Sequence, residues 1–335
     1  MNQSNLLEVR QLKTHFATER GRVTAVDGVS FHVNAGETIG VVGESGCGKS
    51  VTSSSILRLF GKNSGATIEG EIFFEGTDLL RMTIDEIQGI RGNMISMIFQ
   101  DPMSSLNPVF TIGNQIAESI MLHQKLSKKD AMDKAIEMLR MVGIASPEKR
   151  VYDYPHQLSG GMRQRVMIAM GLSCKPKLLI ADEPTTALDV TIQAQIVDLM
   201  IELKERLQMS IILITHDLGV VAEMCDRVLV MYLGQIVEEA TVDSLFQSPR
   251  HPYTIGLMKS IPDLEGERGA PLHVIEGVVP SLYQVPMGCR FAPRCHLADH
   301  KCREQAPKLL PVHEEQKVRC WHYEKVNAQG GLSLA

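Results

Sequence analysis

The sequence predicts an α/β protein whose mostly parallel sheet is covered by helices on both faces. Three observations predict it. Short apolar, β-branched runs such as Thr38–Val42 (TIGVV), Leu178–Ala181 (LLIA) and Ile211–Ile214 read as strands buried on both sides. Stretches of helical spacing, such as Thr191–Leu207, lie between such runs, the alternation that parallel sheets require. A glycine-rich turn follows the first run and precedes a helix-compatible stretch, Val51–Leu59.

Taken in order, the chain opens with alternating strands, Leu7–Arg10 and Val29–Val33, then Thr38–Val42. Gly70–Phe74 and Met94–Phe99 read as further strands. From Asp101 to about Arg165 the texture turns helical: Gly113–His123 and Lys128–Val142 carry an apolar stripe that includes Ala131, Ala135, Ile136, Leu139 and Val142. Strand signals return at Leu178–Ala181, Ile211–Ile214 and Val228–Tyr232. The pattern breaks at Ser248–Pro252, and a proline-rich remainder of weak periodicity follows. The expected division is a nucleotide-binding domain over 1–250, with a helical subdomain at about 101–165, and an irregular C-terminal extension over 251–335.

Composition excludes several classes. In 335 residues, 34 Lys plus Arg stand against 39 Asp plus Glu, a net charge of −5, with 44% hydrophobic and 22% charged residues. That is no disordered chain, collagen or coiled-coil rod, and its acidic balance argues against binding bulk nucleic acid. No apolar run approaches the ~20 residues that cross a bilayer. The first residues lack the apolar core of a secretory signal, so a cytosolic, reducing location with free or metal-bound thiols is expected.

The ligand is set by Gly43-Glu44-Ser45-Gly46-Cys47-Gly48-Lys49-Ser50, which matches G-x-x-x-x-G-K-[ST] between a strand and a helix. The glycines let successive N–H groups line an anion nest, and the helix that starts near Gly48 adds its dipole. Lys49 brings a positive charge to the β- and γ-phosphates, Ser50 ligates Mg²⁺, and Val51 begins the helix-compatible stretch that follows. Asp182 emerges at the end of a buried strand to hold Mg²⁺ through water, and Glu183 is the general base for the attacking water. Leu158-Ser159-Gly160-Gly161-Met162-Arg163-Gln164-Arg165 opens another helix with N–H groups aimed at an anion.

That last stretch resembles the LSGG-x-x-Q-R signature of ATP-binding-cassette (ABC) ATPases. The resemblance implies a P-loop cassette with a RecA-like sheet, an antiparallel β subdomain and a helical subdomain. It identifies Gln100 as the Q-loop glutamine on Mg²⁺, Asp189 as the D-loop residue, His216 as the switch histidine on the γ-phosphate and Phe16 as the adenine-stacking ring. It implies head-to-tail pairs, in which Ser159, Gly160 and Gly161 serve the partner's ATP while Lys49, Gln100, Glu183 and His216 act on this chain's own.

Phe99–Pro108, Tyr154–Gln157, Ala181–Thr191 and Arg250–Thr254 resemble one branch, the ATP-binding subunits of bacterial dipeptide/oligopeptide importers, which includes nickel importers. That likeness implies a second, often non-identical cassette subunit, two membrane permeases, an extracytoplasmic solute-binding protein, and peripheral attachment at the cytoplasmic face of the membrane. A soluble nucleic-acid-related ABC ATPase and an iron–sulfur electron carrier are the rival readings. The first is opposed by a single cassette and the net charge, the second by the lack of a partner redox motif.

Four of the seven cysteines crowd the end of the chain: Cys289, Cys295, Cys302 and Cys320. Their spacing lacks the close C-x2-4-C pair of zinc knuckles, leaving an iron–sulfur cluster, zinc or metal-free thiols. Some dipeptide-importer cassettes carry a 4Fe-4S cluster in this region, so the resemblance implies that these four are its ligands. Cys47 reads as a small filler of the loop or as an exposed, reactive thiol beside Lys49, and the second reading predicts that alkylation blocks ATPase and that ATP protects; Cys174 and Cys225 are expected to be buried apolar fillers.

Overall fold

The computed structural model describes residues 5–61, 63–101, 105–186, 188–260 and 274–326. Pro102–Ser104 and Ala187, within two of the importer-like stretches, fall outside them. In chain order the strands are β1 (Asn5–Thr18), β2 (Gly21–Asn34), β3 (Thr38–Val42), β4 (Ala66–Phe74), β5 (Thr77–Asp78), β6 (Ile95–Ile98), β7 (Leu178–Asp182), β8 (Ser210–Ile214), β9 (Arg227–Tyr232), β10 (Gln235–Thr241), β11 (Leu310–His313) and β12 (Gln316–Val318). The described residues fall into two compact units, one within 5–6, 33–38 and 78–214, the other within 7–32, 39–77 and 215–326.

In the first unit β6, β7 and β8 run parallel, with Ile98 paired to Ala181 and Ile180 to Ile212. All five residues of β7 and of β8 are buried, as continuous apolar runs demand. The helical part packs Ile112–Gln124, Lys128–Met141 and Gly160–Leu172 together. Thr111, Ser127 and Ser159 accept the backbone N–H groups that open these helices. Ala131, Ala135 and Leu139 are fully buried along the expected stripe, while Ile136 is half-buried.

In the second unit β3 pairs parallel with β9, Val41 opposite Leu229. β10 turns back antiparallel on β9, β12 pairs with β10, and β11 with β12. β1 runs antiparallel to β4 and bulges between Arg10 and Lys13. The sequence signalled only short pieces of β1 and β2, and each runs 14 residues. A core of Tyr232, Tyr253, Phe246, Leu245 and Phe291 joins the strands to the C-terminal region. The Tyr232 ring lies 4.7 Å from that of Tyr253 and 5.2 Å from that of Phe291. The extension is thus more regular than expected, since it adds two strands to this unit.

Candidate functional site

The second unit carries the phosphate loop. Gly43 (φ +151°) needs to be glycine, because a Cβ there would lie 2.2 Å from the Met231 carbonyl oxygen; at Gly48 (φ +103°) one would lie 2.6 Å from that of Ala25. Cys47 N–H donates to Glu44 O at 3.2 Å, and Gly234 N–H donates to Cys47 O at 2.8 Å, which closes the turn and ties it to the β9–β10 hairpin. Lys49 opens the helix Lys49–Ile56, is 5% exposed, and donates from Nζ to Gly43 O at 2.7 Å and Glu44 O at 3.2 Å. Carbonyl dipoles thereby stabilise a buried ammonium at the loop. Ser45, Gly46 and Ser50 are exposed, and Val51 is half-buried.

Cys47 differs from the exposed, reactive reading. It is 1% exposed, and burial raises its thiol pKa despite the nearby Lys49. The tight turn folds the side chain inward, against the position a Cβ on Gly43 would take. Cys174 and Cys225 are half-buried rather than buried.

His216 follows β8 in an exposed position, and the N–H of Thr215 donates to Val41 O at 3.3 Å. Asp217 then caps the helix Leu218–Met224. Phe16 is half-buried and meets Phe60 edge-on, ring centres 5.3 Å apart.

The first unit carries the carboxylates. Asp182 ends β7 and is 5% exposed. Glu183 takes a left-handed conformation (φ +49°), and its N–H donates to Ile214 O at 2.8 Å. Such a backbone is strained for a non-glycine residue and turns the chain sharply at the strand end. Gln100 Nε2 donates to Glu183 Oε2 at 2.9 Å, and Thr186 Oγ1 donates to the same oxygen at 2.9 Å. Sequence reasoning missed Thr186, although it lies in a quoted stretch.

Ser159 and Gly160 are exposed at the tip of the helix Gly160–Leu172, and a Cβ on Gly160 would meet nothing within 4 Å. Gly161 lies against Ile192. Asp189 caps the helix Val190–Leu207 by accepting from Ile192 N–H at 3.0 Å. A hollow of about 420 Å³ in this unit is lined by Met97, Ile98, Phe99, Ser105, Met167 and Met170.

The four C-terminal cysteines come together in the second unit. Each is a free thiol, and ionising one would make its neighbours harder to ionise: Cys289, Cys295 and Cys302 raise the pKa of Cys320, and Cys289 and Cys302 that of Cys295. Burial pushes Cys295 up to about 11 and Cys320 up to about 12. Cys289 N–H donates to Cys302 O at 2.7 Å; this close approach requires Gly288, where a Cβ would lie 2.3 Å from Cys302 O. Asp299 accepts from Cys302 N–H at 2.9 Å and lies 3.0 Å from His322 Nε2. Among the described residues, the only three ligand atoms mutually within 4.8 Å are those of Asp299, Cys302 and His322. Nothing in the sequence marked Asp299 or His322.

The profile described as ABC transporter matches residues 26–186, and that described as oligopeptide/dipeptide transporter, C-terminal region, matches residues 237–302. The probable peptide ABC transporter ATP-binding protein y4tR of Sinorhizobium fredii is 55% identical over 321 residues, 96% of each chain. The oligopeptide transport ATP-binding protein AppD of Bacillus subtilis is 55% identical over 326 residues, 97% of this chain and 99% of that protein. Among solved structures, the ATP-binding cassette MJ0796, dimeric in a post-hydrolysis state with ADP and Pi, matches with a TM-score of 0.63 at 26% identity over 70% of this chain and 98% of that one. With a phosphate loop, an ordered strand-end carboxylate pair and full-length likeness at this level, the chain belongs to the ABC transporter ATP-binding proteins, in the branch that carries the oligopeptide/dipeptide transporter C-terminal region.

Proposed function

We propose that this chain is the ATP-hydrolysing subunit of an importer for di- or oligopeptides. The observation that carries the reading is that one chain joins the cassette to the oligopeptide/dipeptide C-terminal region and matches named peptide transport subunits over nearly its whole length.

Lys49 and the loop N–H groups would hold the phosphates, and Ser50, Asp182 and Gln100 would hold Mg²⁺, which neutralises phosphate charge when bound. Glu183 takes the proton of the attacking water, with its carboxylate oriented by Gln100 and Thr186. His216 contacts the γ-phosphate, and Phe16 stacks on the base. Ser159, Gly160 and Gly161 complete the ATP site of a second cassette subunit, a reading supported by the exposure of Ser159 and Gly160, and Asp189 lies at the same junction. The dimeric state of MJ0796 supports such pairing.

No helix among the described residues is long and apolar enough to cross a membrane. In this reading transport runs through permease subunits, to which the chain attaches at the cytoplasmic face. The methionine-lined hollow beside Phe99, which is 46% exposed, suits an apolar helix of such a permease. A solute-binding protein outside the membrane would deliver the peptide.

A 4Fe-4S cluster on the four cysteines is part of this proposal; what supports it is that four free thiols belong to one region of the chain. Cys289, Cys295, Cys302 and Cys320 would hold the cluster, which supplies cross-links to a region of small core, and a one-electron couple.

The test is purification from membranes with bound neighbours, followed by uptake assays in a strain lacking the chain. Co-purifying permeases and lost di- and oligopeptide uptake are expected. Intact peptide uptake together with lost nickel uptake would reject the peptide assignment.

A further inference from the structure

Glu44 sits inside the phosphate loop, and a carboxylate there opposes the purpose of the loop. A negative charge beside a nest of N–H groups repels a triphosphate and competes for the same donors. The fold deals with it from a distant part of the sequence. Arg294 grips the Glu44 carboxylate with both terminal nitrogens, at 2.6 and 3.0 Å. Two further donors reach Glu276 O at 3.0 Å and Ile275 O at 2.9 Å. The guanidinium lies over the rings of Tyr232 and Phe291, 5.9 and 6.0 Å from their centres, and its side chain is only 3% exposed. Glu44 is held at a second point too, since its N–H donates to the Tyr253 hydroxyl at 2.8 Å. That donor therefore faces a protein oxygen.

We infer that Arg294 is a positioning residue for ATP: by neutralising Glu44 and fixing its turn, it lets the C-terminal region set the affinity of the phosphate loop. The inference rests on the nucleotide reading of Gly43–Ser50. Arg294 is too buried to meet ATP and acts through Glu44. A fork–fork pair fixes direction as well as charge, which a lysine would not reproduce.

The test measures equilibrium MgATP binding and steady-state ATPase on the full chain for Arg294→Gln, Arg294→Lys, Glu44→Gln and the double variant Arg294→Gln/Glu44→Gln. Arg294→Gln is expected to weaken MgATP binding about tenfold, with KM moving more than kcat. Arg294→Lys, which keeps the charge without the fork, is expected to fall between it and wild type. Adding Glu44→Gln to Arg294→Gln is expected to recover most of the affinity, because the unpaired carboxylate is gone. A purely structural arginine would not be rescued in this way. Unchanged affinity in Arg294→Gln, or a double variant as weak as the single one, would overturn the inference. Should Arg294→Gln fail to fold, Arg294→Lys with wild-type affinity would overturn it equally. Wild-type chain that retained no MgATP would instead bring down the nucleotide reading itself.

Discussion

Gln100 and Thr186 both donate to Oε2 of Glu183, each at 2.9 Å, so the two bonds to one oxygen set the plane of the carboxylate. The left-handed backbone at Glu183 holds that plane at the end of β7. Removing the base while keeping the shape isolates its chemistry. Glu183→Gln is expected to cut ATP turnover by about 10²–10⁴, roughly 3–5 kcal/mol of barrier. MgATP binding, measured by equilibrium titration, is expected to persist. Near-normal turnover in that variant would remove Glu183 from the base role.

Gly43→Ala would place a methyl 2.2 Å from the Met231 carbonyl oxygen and 2.8 Å from the Cys47 sulfur. The obstruction is backbone on one side, so the loop itself must move. A cost of at least about 1–3 kcal/mol in stability is expected, with loss of MgATP retention. Gly46→Ala is the control, since its added methyl would meet nothing within 4 Å and costs only the positive-φ penalty. Equal effects of the two substitutions would show that close packing is not what the loop demands.

Cys47 is buried with its thiol pKa raised, so alkylation of the native chain is expected to be slow. Iodoacetamide labelling followed by peptide mass spectrometry is expected to modify Cys47 far faster in urea than in buffer. Rapid native labelling that ATP blocks would restore the exposed thiol expected from sequence.

Glu238 supplies a pH dependence. It is buried and accepts from the N–H groups of Arg250 and His251 and from the Gln316 amide, yet burial outweighs these donors and raises its pKa from 4.5 to about 7. Between those values the folded chain keeps a proton that the unfolded chain has released, so this contribution to stability falls as pH rises. His251, buried and lowered from 6.5 to about 3, works in the other direction and loses stability as pH falls below 6.5. Comparison with Glu238→Gln, which keeps His251, isolates the carboxyl: the stability of wild type relative to that variant is expected to fall as pH rises from about 5 to 7, by at most ~1.4 kcal/mol per pH unit, and to level off above that, in urea unfolding. Parallel curves would contradict the raised carboxyl.

Chain prepared without oxygen is expected to be brown, with an absorption band at about 400 nm and iron and sulfide in equal amounts. Cys302→Ser is expected to bleach it, as Cys302 joins the cysteine set and also anchors the 289–302 turn. Colourless protein with stoichiometric zinc would reject the cluster.

The cassette was legible in the sequence because its strands are short apolar runs and its loop is a glycine pattern, both local signals. β3 was read over Thr38–Val42, which are its bounds in the structure, and the helix over Thr191–Leu207 starts one residue earlier. β10 was not read, because its residues include Glu238 and Glu239, which look like surface until Gln316, Arg227 and Lys317 are seen against them. Arg294 was invisible for a related reason. Its partner Glu44 is 250 positions away, and no spacing rule connects an arginine in a proline-rich tail to a phosphate turn. Cys47 was misjudged because charge proximity was weighed without the inward fold of the loop.

β10 is an interior strand only through the pairs Glu238–Val318, Glu239–Lys317 and Ala240–Gln316. A stop codon or protease cut near residue 250 would therefore not release a smaller working ATPase. It would bare a row of unpaired amides and carbonyls and leave two carboxylates without the Gln316 and Lys317 that meet them. Such a fragment would seek a strand from its neighbours, and truncated forms of this chain are expected to precipitate rather than to turn over nucleotide unregulated.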